Sequence, residues 1–352
     1  MALRDRLIAQ IQAQGPMTVA QYMTACLHDP QDGYYATRPA LGEAGDFITA
    51  PMISQMFGEM IGVWAASAWE LMGRPARLRL VEMGPGDGTQ MADVLKTVRH
   101  AAGFLEAADV WLVETSAPLR SLQVKQLGET VQWAASLADI PGGAPALVIA
   151  NELLDCLPAR QFVRTPIRWA EQVVGLDAEG RLAFGLADTP AAALLPAAAP
   201  GQVFEQSAAQ ATLGAELGRR IAADGGAALL IDYGRAEPGF GDTLQALSRH
   251  RRVDPLASPG EADLTVHADF PAVMAAARAE GAAVALLTQT AFLARMGIGE
   301  RAEALVRAAP GRTGLIGRQL HRLIGADQMG ELFKVCVIHS RDWTPPAFED
   351  CE

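Results

Sequence analysis

The residues best suited to chemistry lie in the segment VEMGPGDGTQ, residues 81–90. An apolar run ends at Glu82, and three glycines at alternate positions then lead into a helical pattern. They are Gly84, Gly86 and Gly88. Glycines let the backbone approach a ligand closely, and the free N–H groups of a helix N-terminus attract negative charge. The spacing therefore predicts a glycine-rich turn that binds a nucleotide-like ligand.

Two nucleotide-binding motifs do not fit this spacing. A Walker phosphate loop needs GxxxxGK[ST], and that string does not occur in the chain. The dinucleotide motif GxGxxG needs a third glycine at the position that Thr89 occupies. What remains is an acidic residue, one spacer and GxGxG, which resembles motif I of class I S-adenosylmethionine methyltransferases. A purely structural turn between a strand and a helix is the alternative.

A second acidic residue supports a cofactor site. The predicted strand VWLVE, residues 110–114, ends in Glu114, where a carboxylate can accept hydrogen bonds from both hydroxyls of a ribose. S-adenosylmethionine has no pyrophosphate but carries a carboxylate, an ammonium and a ribose. It is therefore the predicted cofactor.

A pair of carboxylates follows the predicted strand ALVIAN, residues 146–151. Because ligands lie beyond the carboxyl ends of strands in α/β sheets, we expect Glu152 and Asp155 to face the same crevice as the glycine turn. Their spacing of three places them on one face of a predicted helical turn. Two carboxylates there, beside Asn151, could orient a guanidinium or ammonium substrate and accept its proton. The alternative is that Asp155 caps a helix and Glu152 is solvated.

His267, in the segment DLTVHADF, is a second candidate base. The alternative is a structural histidine that bonds a neighbouring loop. Asp232 and Tyr233 end a later predicted strand at the same edge, where they either line the substrate entrance or simply end that strand.

Short apolar runs that alternate with helical patterns must position these residues. The strand candidates are residues 78–83, 110–114, 131–135, 146–151, 227–234, 283–289 and 333–339. Such strands between helices indicate a parallel sheet covered on both faces. Residues 160–186 alternate with period two, which predicts an antiparallel insertion. Helices are expected before residue 75, and one long helical segment over residues 299–328.

Length and charge exclude several classes of protein. The chain has 352 residues, of which 50% are hydrophobic, and a formal net charge of −11. An acidic chain has no general attraction for nucleic acid or anionic lipid, so neither nucleic-acid binding nor stable membrane insertion is expected. The basic run Arg249 to Arg252 is interpreted as a solvated loop or helix end. An acidic surface suits a basic substrate better.

The four cysteines are scattered and form no CxxC pair. This argues against a disulfide framework and a structural zinc site, and it fits a reducing compartment. No metal site is expected. The first residues form an amphipathic helical pattern without an apolar signal region, so no secretory signal is expected. No Arg-rich, acid-poor presequence is visible before the region of resemblance, so the expected location is a bacterial cytoplasm rather than a mitochondrial matrix.

Five segments together carry a resemblance to a known family, over about residues 15–340. They are GPMTVAQYMTACLHDPQDGYY, GDFITAPMISQMFGEMIGVW, VEMGPGDGT, NELLDCLPARQF and DLTVHADF. The combination resembles the MidA-like family, whose best-known members are mitochondrial methyltransferases that assist assembly of respiratory complex I. The resemblance implies a class I methyltransferase fold, which is α/β and Rossmann-like. Its sheet has seven mostly parallel strands, with an N-terminal helical extension and inserted substrate-facing elements.

The resemblance divides the chain into three regions. Residues 1–75 would form the helical extension with a cofactor-covering loop, residues 76–159 and 227–345 the methyltransferase core, and residues 160–226 an inserted substrate-recognition region. Within the loop, four residues would form a lid or wall against the cofactor, namely Gly45, Asp46, Phe47 and Thr49. The full predicted cofactor set is Gly45, Asp46, Phe47, Thr49, Glu82, Gly84, Pro85, Gly86, Gly88, Thr89, Glu114, Ser136 and Asn151.

The resemblance also implies an activity. Methyl groups would pass to an arginine of the complex I subunit that corresponds to the mitochondrial 49-kDa subunit, giving symmetric dimethylarginine. A methyltransferase for a small molecule or for another protein side chain is one alternative, although the inserted region favours a large substrate. The other is an assembly chaperone with little turnover.

Overall fold

The computed structural model of the chain describes residues 1–37 and 49–351. The α-helices in these ranges are α1 (Leu3–Gln14), α2 (Val19–His28), α3 (Tyr34–Thr37), α4 (Ala50–Ile53), α5 (Gln55–Leu71), α6 (Thr89–Val98), α7 (Phe104–Ala107), α8 (Ala117–Leu127), α9 (Ala208–Asp224), α10 (Phe270–Ala279), α11 (Gln289–Arg295), α12 (Ile298–Ala308), α13 (Thr313–Ile324) and α14 (Met329–Leu332). The β-strands there are β1 (Met17–Thr18), β2 (Leu78–Met83), β3 (Ala108–Val113), β4 (Gln132–Ala134), β5 (Ala146–Asn151), β6 (Arg160–Arg164), β7 (Trp169–Leu176), β8 (Leu182–Ala187), β9 (Val203–Gln206), β10 (Gly226–Arg235), β11 (Gln245–Ser248), β12 (Arg251–Val253), β13 (Asp263–Thr265), β14 (Ala268–Asp269), β15 (Ala283–Thr288) and β16 (Phe333–His339).

The described residues fall into two compact units. The first unit comprises residues 1–37, 154–211 and 237–269. The second unit comprises residues 49–153, 212–236 and 270–351.

Seven strands of the second unit pair in the order β15-β16-β10-β5-β2-β3-β4. The pairs from β10 to β4 are parallel, whereas β16 is antiparallel to both of its neighbours. All six residues of β2 are buried, as are five of the six in β5. Such continuous burial is typical of a parallel sheet covered on both faces. The predicted α/β fold with a mostly parallel seven-stranded sheet is confirmed.

Helix α5 packs closely on α6 within the second unit. A Cβ atom on Gly58 would lie 2.8 Å from the Cβ of Asp93, and one on Gly62 would lie 2.6 Å from the Cβ of Thr97. Only glycine permits so close an approach of two helices. The sequence-based division at residue 75 places α5 in the N-terminal extension, whereas its contacts are with a helix of the second unit.

The first unit is built on antiparallel strands. Its larger sheet has the order β1-β7-β6-β9, and β8 also pairs with β7. A separate three-stranded sheet has the order β12-β11-β13, also antiparallel. The antiparallel strands predicted over residues 160–186 are confirmed as β6, β7 and β8.

The prediction of one helical segment over residues 299–328 is wrong. Helix α12 ends at Ala308, and α13 begins at Thr313 after a short 3-10 turn over Pro310–Arg312. Proline disfavours helical backbone in the residue before it. Ala309 accordingly leaves the helical region, with φ −142° and ψ 73°. None of the helices in the described part of the chain is long and apolar enough to cross a membrane.

Candidate active site

The central crevice of the second unit lies where the strand order reverses. Strand β2 pairs with β3 on one side and with β5 on the other. After β2 the chain adds β3 and β4 on one side of the sheet, and it then crosses to the other side of β2 to form β5. Ligands of open α/β sheets bind outside the carboxyl ends of the strands at such a point. The glycine turn follows β2, and Asn151 ends β5, so both predicted segments lie at this edge.

The glycine turn has a backbone that only glycine adopts without strain. Gly84, Gly86 and Gly88 have φ angles of +64°, +55° and +89°. The N–H of Gly88 donates to the carbonyl of Pro85 over 2.9 Å, which closes the turn. Helix α6 begins at the next residue, Thr89, whose N–H donates to Asp87 Oδ1 over 2.9 Å. The segment thus presents backbone and a helix N-terminus to the crevice, as its sequence predicts.

Glu82 is a buried carboxylate at the end of β2. Gln90 Nε2 donates to Glu82 Oε1 over 2.9 Å, while Oε2 is buried and lacks a hydrogen-bond partner among the described residues. Burial, reinforced by the nearby charge of Asp87, raises the pKa of Glu82 to about 8. A cationic group beside Glu82 would favour the ionised carboxylate and donate a hydrogen bond to Oε2.

Asn151 ends β5 and Glu152 follows it, at the same edge of the sheet as the glycine turn. Asn151 Nδ2 donates to Glu152 Oε1 over 3.1 Å, and the N–H of Ala50 donates to the same oxygen over 3.1 Å. Asn151 Oδ1 is buried without a hydrogen-bond partner in the described ranges. The Glu152 carboxylate is therefore fixed in place, next to an acceptor that is available to a ligand.

The predicted helical turn from Glu152 to Asp155 is wrong. Glu152 has φ +50°, in the left-handed region, so a right-handed helix cannot start there. Its N–H donates instead to the carbonyl of Ile231 over 2.8 Å. The residues after it form bends and one turn, closed by the N–H of Leu157 and the carbonyl of Leu154. Glu152 belongs to the second unit and Asp155 to the first.

Gln123 connects Glu114 to the glycine turn, and sequence reasoning missed it. This fully buried side chain on α8 donates from Nε2 to the carbonyl of Gly86 over 2.7 Å and to Glu114 Oε2 over 3.2 Å. Its Oε1 accepts from Trp133 Nε1 over 2.9 Å. The other Glu114 oxygen accepts the N–H of Ser116 over 2.6 Å. Burial raises the pKa of Glu114, and these hydrogen bonds oppose that rise.

We expect Gln123→Met to weaken S-adenosylhomocysteine binding about tenfold, because it removes a buried amide that orients two walls of the site. Methionine keeps the volume and the apolar packing. Isothermal titration would measure the change. Gln132→Met, at a residue exposed on β4, is the control and should leave affinity unchanged. Equal affinities for wild type and Gln123→Met would exclude Gln123 from organising the site.

The remaining predicted cofactor residues have varied positions. Thr49 precedes α4, and its carbonyl accepts the N–H groups of Met52 and Ile53. The exposed Ser136 follows β4, and its hydroxyl donates to Asp139 Oδ2 over 2.8 Å as part of a local cap. Gly45, Asp46 and Phe47 lie outside the described residues.

Asp232 and Tyr233 do not end their strand, because β10 continues to Arg235. Asp232 is fully buried, and its Oδ1 accepts the N–H of Tyr233 over 2.8 Å. The Tyr233 ring packs on Phe333, with ring centroids 5.4 Å apart.

The first unit brings Asp155 and His267 together. The carbonyl of the buried Asp155 accepts the N–H of Val266, the residue before His267, over 2.9 Å. The N–H of His267 donates to Thr243 Oγ1 over 2.9 Å. This hydrogen bond therefore joins two segments that are far apart in the sequence and that each carry a candidate catalytic residue.

A tyrosine–carboxylate pair that was not predicted joins α3 to β13 in the first unit. Tyr35 Oη donates to Asp263 Oδ1 over 2.8 Å, and Asp263 begins β13. Burial is the main cause that raises the pKa of Tyr35, and the charge of Asp263 adds to it. The sequence offers only the string DGYY as a signal, which by itself defines no function.

A sheet of this order defines a class of protein when a glycine turn follows its first central strand and an acidic residue, here Glu114, directly follows the next strand. It is the arrangement of class I S-adenosylmethionine-dependent methyltransferases. Residues 60–288 match the model of a family of S-adenosyl-L-methionine-dependent methyltransferases. The chain therefore belongs to this family. S-adenosylmethionine is accordingly its cofactor. No cluster of three or more His, Cys, Asp or Glu side chains within the described ranges could hold a metal ion.

Curated relatives and one solved structure match nearly the whole chain. The mitochondrial protein arginine methyltransferase NDUFAF7 of Rattus norvegicus is 36% identical over 358 residues, covering 93% of this chain and 82% of the rat protein. The Drosophila melanogaster homolog is 34% identical and covers 95% and 84%. A crystal structure from Burkholderia thailandensis with bound S-adenosyl-homocysteine has a TM-score of 0.86 and 27% identity, covering 99% of this chain and 95% of that one.

Proposed function

We propose that this chain transfers the methyl group of S-adenosylmethionine to a guanidino nitrogen of an arginine in a protein. The observation that carries the proposal is the Glu152 carboxylate, which Asn151 and Ala50 fix at the carboxyl end of β5. A fixed carboxylate beside the methyl donor suits a guanidinium. The similarity to named protein arginine methyltransferases supports the same acceptor.

The residues of the crevice fit the cofactor. Glu82 Oε2 and Asn151 Oδ1 are buried acceptors without partners among the described residues, and an ammonium group has three donors to offer. The backbone of the glycine turn and the N-terminus of α6 suit a carboxylate. The Glu114 oxygens accept hydrogen bonds from Ser116 and Gln123, and a carboxylate has further lone pairs for two ribose hydroxyls. We assign these groups to the ammonium, carboxylate and ribose of S-adenosylmethionine.

The chemistry requires an oriented nitrogen and a proton acceptor. When bound, S-adenosylmethionine supplies an electrophilic methyl group on a sulfonium. Glu152 would hold the guanidinium so that a nitrogen lone pair points at that methyl carbon. As the N–C bond forms and the C–S bond breaks, the nitrogen loses a proton, for which Glu152 is the proposed acceptor. Asp155 and His267 belong to the first unit, and the catalytic roles that the sequence suggests for them stay predictions.

The proposed substrate is the respiratory complex I subunit that corresponds to the mitochondrial 49-kDa subunit, with symmetric dimethylarginine as product and complex assembly as the purpose. The resemblance to the MidA-like family supports this choice. Residues 160–226 are the proposed substrate-recognition region. The proposed location is a bacterial cytoplasm, although the curated relatives are named as mitochondrial.

The raised pKa of Glu82 gives a pH dependence with a defined sign. Its folded-state pKa of about 8 exceeds the ordinary value of 4.5, so between these values the folded protein keeps a proton that the unfolded chain loses. The free energy of unfolding of the cofactor-free protein should therefore fall as the pH rises through this range. Urea unfolding at several pH values would measure the fall, and Glu82→Gln should reduce it.

Cofactor binding should release a proton from Glu82 in the same pH range, because an ammonium beside it favours ionisation. Titration of S-adenosylhomocysteine in two buffers with different ionisation enthalpies would detect the release. Glu82→Gln should abolish it. An unchanged proton release in the variant would mean that Glu82 does not contact the ammonium.

The acceptor can be identified with methyl-labelled S-adenosylmethionine and an extract of cells that lack this protein. We expect label on an arginine of one respiratory subunit, found by peptide mass analysis, and symmetric dimethylarginine after hydrolysis. Label confined to small molecules would point to a different acceptor. Tight cofactor binding with no labelled product would favour a chaperone role.

A further inference from the structure

Strand β8 is an edge strand of the larger sheet of the first unit. Glu171 and Gln172 on β7 pair with β6 on one side and with β8 on the other, so β6 and β8 flank β7. Among the described residues, β8 pairs with β7 alone. The far edge of the sheet is covered, because the N–H of Gly241 donates to the carbonyl of Val203 on β9 over 2.8 Å. An uncovered edge presents backbone groups that can pair with a strand of another chain.

The sequence of β8, LAFGLA, lacks the features that protect edge strands from pairing. It contains no charged residue and no proline, and its register with β7 has no bulge. Its three large side chains alternate along the strand and therefore share one face of the sheet. Two of them are exposed, Phe184 by 39% and Leu186 by 54%. An unprotected edge that also exposes large apolar side chains indicates a surface for a partner strand.

The turn between β7 and β8 determines which backbone groups of β8 point outward. The N–H of Asp177 donates to the carbonyl of Arg181 over 2.8 Å, where the hairpin closes. Hydrogen-bonded pairs occur at every second position of antiparallel strands, so Ala183 and Gly185 are the next residues that bond to β7. The N–H and C=O groups of the residues that alternate with them point away from β7. These residues are Leu182, Phe184 and Leu186.

The sequence of β8 is symmetric about Phe184. A leucine lies two positions before it and another two positions after it, with a small residue on each side between them. If a second copy of β8 runs antiparallel with the two Phe184 residues opposite each other, Leu182 of each copy faces Leu186 of the other. The apolar faces of the two strands then join, and every outward N–H of one strand meets an outward C=O of the other.

The charged residues that flank β8 are compatible with this register. Arg181 precedes the strand and falls opposite Ala187 of the second copy, while Asp188 follows the strand and falls opposite Gly180. Like charges directly opposite each other destabilise a strand pair. The symmetric pairing about Phe184 avoids any such contact.

We infer that two copies of this chain associate through β8, antiparallel and two-fold symmetric about Phe184. The pairing joins their larger sheets and leaves neither copy of β8 as an open edge. A two-fold contact requires a surface that is complementary to itself, and the symmetric sequence of β8 meets this requirement. A strand of an unrelated protein could use the same backbone groups, but it would not need that symmetry.

Sedimentation velocity of the full chain over a range of protein concentrations tests the inference. The wild-type chain should form a species with twice the mass of one chain. Phe184→Lys and Phe184→Glu each place two like charges opposite each other, so each should weaken association at least about tenfold. Both substitutions change an exposed side chain on an edge strand, and the thermal transition of each variant should stay near that of the wild type.

An equimolar mixture of Phe184→Lys and Phe184→Glu should recover the association that each variant loses alone, because lysine then faces glutamate across the two-fold axis. The recovery depends on Phe184 lying opposite itself. A variant that was merely destabilised would not be rescued in this way.

Val253→Lys and Val253→Glu are the matched controls. Val253 lies on β12, in the other sheet of the first unit, and is 36% exposed, close to the value for Phe184. Each control variant should associate as the wild type does, both alone and in the mixture of the two.

Three outcomes would overturn the inference. One is a wild-type chain that sediments as a single copy at every concentration. Another is a dimer that both Phe184 variants retain, because the contact would then lie on a different surface. The third is a single-copy wild type whose Phe184 variants lose methyl transfer, which would assign the edge of β8 to a strand of the substrate.

Discussion

Valine in place of Gly84 is expected to reduce the affinity for S-adenosylmethionine at least about a hundredfold, close to complete loss. Gly84 has φ +64°, a conformation that a β-branched residue adopts only with strain. A Cβ atom there would lie 3.1 Å from Leu153 Cδ1, and the two methyl groups beyond it would occupy space needed by the ligand. Isothermal titration with S-adenosylhomocysteine measures the loss directly.

Gly73→Val separates loss of the site from general destabilisation. Gly73 has φ +81°, but a Cβ atom there would meet nothing within 4 Å. The control variant should therefore suffer comparable backbone strain and still bind the cofactor as wild type does. If Gly84→Val also binds normally, the glycine turn does not hold the cofactor. If both variants lose binding together with their thermal transitions, the Gly84→Ala variant, which carries no branched methyls, decides the matter.

Glu152→Gln is expected to lower kcat by at least about tenfold while leaving cofactor affinity near the wild-type value. Glutamine has nearly the same shape, and its Oε1 can still accept the N–H of Ala50. The change removes the negative charge that orients a guanidinium and the group that takes its proton. Initial rates with the unmethylated substrate subunit and a parallel titration with S-adenosylhomocysteine give the two quantities.

Glu70→Gln is the control for this substitution. Glu70 is an exposed glutamate of the second unit, and its carboxylate pairs with Arg74 at 2.6 Å. Its replacement should change neither kcat nor cofactor affinity. Unchanged turnover in Glu152→Gln would remove Glu152 from the catalytic role and leave Asp155 and His267 as candidates.

The central sheet is largely predictable from the sequence. Residues 78–83, 146–151 and 333–339 form strands with the predicted bounds, because a buried parallel strand needs a continuous apolar run and polar residues end it. The position of the glycine turn is predictable for the same reason, because the pattern of apolar residues changes from that of a buried strand before it to that of a helix after it.

Backbone conformation at single positions could not be predicted. Glu152 follows a strand, and its spacing from Asp155 suits a helix. However, its N–H donates to the carbonyl of Ile231 on β10, and its φ is positive. A neighbouring strand imposes this conformation, and no local propensity of glutamate indicates it. Pro310, by contrast, is a helix-breaking residue visible in the sequence, and it separates two helical segments that share one hydrophobic periodicity.

The side chains that organise the site depend on tertiary contacts. Gln123 lies on α8 with nothing in its sequence context to distinguish it from other helical glutamines, and its role comes from facing Glu114 and Gly86 at once. The carbonyl of Asp155 accepts the N–H of Val266, the residue before His267, across a long separation in sequence. The roles predicted for Gly45, Asp46 and Phe47 concern residues outside those described here and stay predictions.

A crystal structure of this protein with S-adenosylhomocysteine would test the cofactor assignment most directly. We expect the ribose hydroxyls on the Glu114 carboxylate, the amino group on Glu82 Oε2 and Asn151 Oδ1, and the sulfur on the side where Glu152 lies. A ligand that leaves the glycine turn and Glu114 without contacts would contradict it.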